Sequence, residues 1–377
     1  MTALPDDAAQ ATLVGRVHDP GTGPCVVVVR GDEVADITAA APTLSQLLAQ
    51  DDPVSAVRAA TATRAWPLAS VLEGEPALLA PADLQVIKAC GVTFVRSMVE
   101  RVIEERAGGD ASRAGAVRKE LEDVVGGNIA AVTPGSDEAA ELKAKLQEDG
   151  QWSQYLEVGL GPDAEVFTKA PVLSAVGSGA TVGVSRASRW NNPEPEVVLA
   201  VDPRGQPVGA MLGNDVNLRD LEGRSALLLG KAKDNNASCA LGPFLRLFDD
   251  GFTLDDVRGL ELRLEVTGTD GFVLDGRSSM REIARDPLEL VAATYGDHHQ
   301  YPDGFVLMTG TLFAPTEDRD EPGGGFTHKT GDVVRISTPR LGTLENTVAP
   351  AEEAPRWEFG IAALFENLAA RGLLGRA

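Results

Sequence analysis

Residues 192–201 read NPEPEVVLAV: two carboxylates, Glu194 and Glu196, stand two apart at the mouth of an apolar run. The run is rich in valine and predicts a buried strand. Period-two alternation puts both acids on one face of it. Two carboxylates side by side on a face that enters a core repel each other unless a cation or a proton intervenes. A lone Glu-x-Glu at a strand start is commonly solvated, but the residues downstream change that reading. Nineteen residues beyond Glu196 (215 − 196 = 19), GNDVN at 213–217 sets Asp215 in a turn-like context between strand-like runs. A hairpin there would return Asp215 toward the glutamates. Three carboxylates without a histidine suit a hard cation, Mg²⁺, with Mn²⁺ or Ca²⁺ as alternatives.

Residues 230–243 read GKAKDNNASCALGP, too rich in Asn, Ser and Gly for a plain exposed helix. They hold Lys231 and Lys233. A lysine beside a divalent ion is destabilised as a cation, so its pKa is expected to fall toward that of a useful general base.

The chain has 377 residues, with 34 Lys and Arg against 56 Asp and Glu, a net charge of −22. That balance opposes a grip on nucleic acid or an anionic membrane, and neither is an expected partner. A small anionic substrate is compatible with it, provided an ion and a few lysines reverse the field inside one pocket. Three well-separated cysteines, Cys25, Cys90 and Cys239, suit a reduced compartment. No run approaches ~20 apolar residues and the N-terminus lacks a basic-then-apolar leader pattern. The expectation is a soluble, cytoplasmic protein.

The class expected is α+β. Residues 1–80 read as a small N-terminal α/β unit, and 81–377 as the catalytic domain. The segment QVIKACGVTF is strand-like up to Phe94 and then turns helical, with Met98, Val102 and Ile103 on one face and Gly108-Gly109 as its stop. Residues 111–150 are polar and helical, with Ser136 a fitting N-cap. Many short β-like runs come after them, including EVVLAV, VGAMLGNDV, GFVLMTGTL and DVVRISTP, which points to a sandwich or rolled sheet. The last helix is expected to be amphipathic, through Phe359, Ala362, Leu364 and Leu368.

Together, Glu194-x-Glu196, GNDVNLRD at 213–220, the lysine segment ending in LGP, and Thr309-Gly310-Thr311 resemble the fumarylacetoacetate hydrolase superfamily in order and spacing, from about Leu79 to the C-terminus. WNNPEPEVVL, GNDVNLRDLEGRSALLL, KAKDNNASCALGPF, HQYPDGF and GFTHKTGD are more similar to its dehydratase branch, which acts on 2-keto-3-deoxy-D-xylonate (2-dehydro-3-deoxy-D-pentonate), than to its carbon-carbon hydrolases. The resemblance implies a mixed β-sandwich roll, Mg²⁺ held by Glu194, Glu196 and Asp215, and a homodimer or homotetramer. The register similar to the dehydratases selects Lys233 as base, whereas the hydrolase register would select Lys231. Family hydrolases use an early His/Glu pair to activate water; here no histidine lies between His18 and His298.

The implied reaction is a β-elimination yielding 2,5-dioxopentanoate, and it needs an electrophile, a base and an acid. For the acid, the helix after Phe94 offers Ser97, Glu100, Glu104 and Glu105. Thr311 is expected to bond the substrate carboxylate, Arg219 to hold that carboxylate or an acid beneath it, and Lys169 and Lys231 to add positive charge. His298, His299 and His328 read as loop histidines or as contacts to substrate hydroxyls. Rival readings are an acylpyruvate-type hydrolase and a non-catalytic sugar-acid sensor.

Overall fold

The computed structural model describes residues 3–125, 132–311, 315, 317–320 and 325–374, with the backbone alone for 120–125. In chain order its strands are β1 (Leu13–Asp19), β2 (Gly23–Arg30), β3 (Glu33–Asp36), β4 (Ala65–Pro67), β5 (Ala77–Leu79), β6 (Val86–Gly91), β7 (Glu165–Ala170) and β8 (Thr181–Val184). Next come β9 (Pro195–Val201), β10 (Pro207–Asp215), β11 (Cys239–Leu247), β12 (Glu261–Thr267), β13 (Val273–Ser279), β14 (Phe305–Met308), β15 (Val333–Thr338) and β16 (Gly342–Pro350). They form two sheets. The larger runs β4-β3-β2-β1-β11-β10-β9-β14-β6-β7, with β5 also on β1; the smaller runs β13-β12-β15-β16-β8.

The Glu-x-Glu strand, β9, lies at the centre of the larger sheet. Every residue of β9 is buried, as a strand covered on both faces should be. Val197, Leu199 and Val201 join the core shared with the smaller sheet, through Leu264, Val266, Ile336 and Leu344. Val198 and Ala200 face the opposite core, under Leu44, Leu47 and Val57 of the N-terminal region. The molecule is a mixed sandwich. Its N-terminal strands extend the larger sheet through antiparallel pairing of β1 with β11.

Beside the sheet lies the expected helical excursion. The helix Val95–Ala107 buries Met98, Val102 and Ile103 and stops at Gly108, whose φ of 67° is the left-handed cap that glycine takes readily. It packs with the helices Ala111–Val125 and Gln154–Leu160 in an apolar cluster of its own. Ser136 caps the helix Asp137–Glu148 by accepting from the Ala139 amide. Two boundaries differ from expectation. β6 ends at Gly91 rather than Phe94. At the C-terminus the helix Ile361–Ala370 buries Leu364 and Leu368, whereas Ala362 faces solvent and Phe359 precedes the helix, because Gly360 starts the turn.

Candidate active site

β9 and β10 pair antiparallel with Glu196 opposite Gly213, and the Asp215 amide donates to the Glu194 carbonyl (3.0 Å). That register puts Glu194, Glu196 and Asp215 on one face, where they offer oxygens within 4.8 Å of one another. All three are buried. Burial and the repulsion of Asp215 and Glu194 raise Glu196 well above the usual carboxylate range. Burial also raises Glu194, against the pull of Lys233 and Arg101. For Asp215 the balance reverses: burial raises it, but Lys169 and Lys233 bring it below the ordinary value. Three converging, mutually repelling oxygen donors match the preference of a hard divalent cation, so the residues fit a magnesium site.

Lys233 ends the short helix Leu229–Lys233, and its Nζ donates to Glu194 Oε2 (2.5 Å) and Asp215 Oδ2 (3.1 Å). Burial pulls its pKa down, but the charges of Asp215, Glu194 and Glu222 outweigh that and hold it above the ordinary lysine value. Lys231, on the same short helix, faces solvent and not the site. Lys169 is fully buried, and its ammonium contacts protein groups, Asp215 Oδ1 first among them (2.7 Å).

Lys233, Glu194 and Glu222 line a small cavity with Ser97, Arg101, Phe167, Thr311 and the Cys90–Val92 backbone. Ser97 and Thr311 thus reach the site. Thr311 follows Gly310, whose amide donates to Glu196 Oε2 (2.7 Å). The roomier groove between Val71–Leu78 and the smaller sheet holds Arg263 and Arg335, each already paired with Glu265.

The helix acids sit elsewhere. Glu104 is held by Arg101 (2.5 Å) and Arg219 (2.6 Å), and Glu100 by Arg118 (2.8 Å) and Arg219 (3.1 Å). Glu105 accepts from Ser153 Oγ and from Gln154 Nε2 (2.8 Å), which ties it to the start of the helix Gln154–Leu160. Arg219 also donates to the Pro315 carbonyl (2.9 Å) and lies 4.3 Å over the Trp190 ring. Its guanidinium is therefore committed to the acids beneath the site. His328 is buried with Nδ1 3.2 Å from Asp332, and the exposed His298 and His299 lie on a loop that does not line the cavity.

Residues 142–349 match the family described as fumarylacetoacetate (FAA) hydrolase C-terminal. The chain belongs to the fumarylacetoacetate hydrolase family. Among curated members, a probable 2-keto-3-deoxyxylonate dehydratase of Haloferax volcanii is 32% identical over 206 residues, 55% of this chain and 67% of that protein. A 2-dehydro-3-deoxy-D-arabinonate dehydratase of Saccharolobus solfataricus is 30% identical over 180 residues, 48% of this chain and 57% of that one. A solved 2-keto-3-deoxy-D-arabinonate dehydratase complexed with magnesium and 2,5-dioxopentanoate shares the fold, with a TM-score of 0.64 at 21% identity, over 90% of this chain and 99% of that one. Its apo form gives 0.63 at 20%, over 92% and 100%.

Three residues of this family member's site escaped the sequence reading. Arg101 links Glu194, Glu104 and Glu222 in one ionic cluster. Glu222, one turn beyond Arg219, closes the cavity wall. Glu165 opens β7 opposite Gly91 and lies against it so closely that a Cβ at 91 would stand 1.9 Å from Glu165 Oε2. Burial, then the charge of Glu222, pushes Glu165 up to about 7. That brings its proton affinity close to neutral pH. In the sequence it was one polar letter in EVFTK; a hint lay in Glu165, Phe167 and Lys169 alternating along a predicted strand.

Proposed function

We propose that this chain is a hydro-lyase that dehydrates a 2-keto-3-deoxy-pentonate, specifically 2-keto-3-deoxy-D-xylonate, to 2,5-dioxopentanoate in oxidative pentose degradation. The observation that carries this is the meeting of Lys233 with Glu194 and Asp215, two of three buried carboxylates whose oxygens converge within 4.8 Å. The names of the curated relatives and the magnesium and 2,5-dioxopentanoate of the solved neighbour support it.

A magnesium ion held by Glu194, Glu196 and Asp215 would supply the electrophile that acidifies the hydrogens on C3. Thr311 and Ser97 line the space for the substrate's polar groups. Lys233, once it has shed its proton, accepts one from C3. Glu165, protonated below about 7, replaces the helix acids as the donor to the departing C4 hydroxyl. Water leaves as the C3–C4 double bond forms, and loss of a C5 proton to give a dienol, with protons returned to C4 and C3, isomerises this alkenone to the aldehyde. Burial of the cavity strengthens each of these contacts relative to water. The same reading holds residues 1–80 and 81–377 as its two units, a homodimer or homotetramer as its assembly and the cytoplasm as its location. No helix among the described residues is long and apolar enough to cross a membrane.

The deciding experiment supplies 2-keto-3-deoxy-D-xylonate with Mg²⁺ and couples the product to an aldehyde-oxidising dehydrogenase. Chelator-treated protein should lose turnover and regain it with Mg²⁺. Two carbon fragments in place of one aldehyde would make the protein a hydrolase, and equal turnover without metal would remove the electrophile.

A further inference from the structure

Lys169 is fully buried, and an ammonium taken out of water costs several kcal/mol unless its hydrogens find acceptors. Its Nζ lies 2.7 Å from Asp215 Oδ1 and 3.1 Å from the Val216 carbonyl oxygen, touches the carbonyl oxygen of Lys233, and stands 3.4 Å from Ser238 Oγ. The Lys233 carbonyl needs such a partner, because the last carbonyls of the five-residue helix Leu229–Lys233 have none within it. Ser238 Oγ supports the same carbonyl at 2.8 Å.

The backbone shows how the side chain reaches this position. β7 pairs with β6 through Ala170↔Ile87 and Thr168↔Lys88, which leaves Lys169 as the extra residue of a bulge. Bulges re-aim side chains. Thr168 stays outside, accepting from Lys88 Nζ (3.0 Å), while Lys169 turns under the site. With Oδ1 of Asp215 engaged by Lys169, Oδ2 is the oxygen that meets Lys233 Nζ (3.1 Å).

We infer that Lys169 is a positioning residue: one buried ammonium braces a carboxylate of the proposed metal site and the backbone of the proposed base, and sets their spacing. This rests on the dehydratase reading of the same site. Lys169 itself is outside the cavity lining and touches no reacting atom.

Two variants test it. Lys169→Met keeps the length and apolar bulk but removes the charge; Ser238→Ala loosens the Lys233 carbonyl, and with it the Asn235 amide, but leaves the Lys169–Asp215 pair in place. Mg²⁺ binding is read by calorimetry without substrate, alongside kcat, KM and thermal melting. Lys169→Met should bind Mg²⁺ at least ~10-fold more weakly, the usual range for an orienting partner of a metal ligand. Its kcat should fall ~10²-fold, as for a reacting group displaced by about 1 Å, with a smaller change in KM. Ser238→Ala should lower kcat several-fold and leave Mg²⁺ affinity within about twofold, since it does not touch Asp215. If Lys169→Met melts earlier while its folded fraction keeps wild-type Mg²⁺ affinity and kcat, the lysine is merely structural and the inference falls. If Lys169→Met does not fold, an unchanged kcat in Ser238→Ala overturns it. Wild-type protein that binds no Mg²⁺ sinks the dehydratase reading itself, a result distinct from either variant's.

Discussion

Gly91→Ala tests the role of Glu165 without touching an ionisable group. A Cβ at residue 91 would stand 1.9 Å from Glu165 Oε2 and 2.7 Å from its Cδ, and real Cβ contacts essentially never come under 3.0 Å. The carboxyl must therefore retreat by at least 1.1 Å (3.0 − 1.9). A displacement of ~1 Å at a reacting group costs ~10²-fold in rate, about 2.7 kcal/mol of barrier. Stability should move the other way. The clashing atoms are the free end of a side chain, and removing a glycine's freedom from the unfolded chain gains ~0.4–1 kcal/mol where the backbone tolerates alanine. Urea melts and kcat then separate the two effects. The pH profile adds a third reading. Glu165 is protonated below about 7 in the folded protein, so wild-type kcat should fall as pH rises through that value. Its stabilising contribution has the same sign, complete below the ordinary 4.5 and lost as pH rises through about 7. In Gly91→Ala the alkaline limb should move toward lower pH as the carboxyl leaves its buried seat. A variant with wild-type kcat and an unmoved limb would show that Glu165 gives no proton to the reaction.

Arg219→Met should destabilise the fold by ~3–5 kcal/mol, because it removes the buried cation that Glu104 and Glu100 share and leaves them to Arg101 and the half-buried Arg118. Adding Glu104→Gln should restore a large part of that loss in urea melts, and failure to do so would refute the pairing as its cause. Burial lowers the His328 pKa below 6.5, despite the bond to Asp332. Its contribution to stability is thus complete above 6.5 and lost as pH falls below it, and His328→Gln should flatten the decline in urea midpoint between pH 7 and pH 5. Lys231→Met should keep kcat, since Lys231 faces solvent, whereas Lys233→Met should lose ~10²–10⁴-fold and with it exchange of C3 hydrogen in deuterated buffer. Equal losses in both would move the base away from Lys233.

What could be read from the residues was local. Period-two spacing put Glu194 and Glu196 on one face, but the turn expected at Gly213-Asn214 is strand: Asp215 ends β10, the β9–β10 hairpin turns at 202–206, and the antiparallel register is what returns Asp215 beside Glu194. Of Lys231 and Lys233, one turn of helix that sequence spacing alone could not orient buries the second against Glu194 and Asp215 and exposes the first. The placement of the helix acids has a different cause. Glu100 and Glu104 looked available because their cations, Arg118 and Arg219, arrive from up to 119 residues away. Glu165 looked ordinary because its unusual proton affinity comes from burial and from Glu222, both products of tertiary packing. The N-terminal strands read as a separate unit, since nothing in β1 announces that its edge meets β11.

The interlocked charges around the cavity have an arithmetic of their own. Counted as ionised, the buried acids Glu100, Glu104, Glu194, Glu196, Asp215 and Glu222 number six, and the cations paired within the cluster, Arg101, Arg118, Lys169, Arg219 and Lys233, number five, a remainder of −1. A doubly positive ion alone would turn that into +1, and a keto-acid monoanion alone into −2. Both together bring it to zero. In surroundings where uncompensated charge is expensive, each guest should strengthen the hold on the other by the same factor.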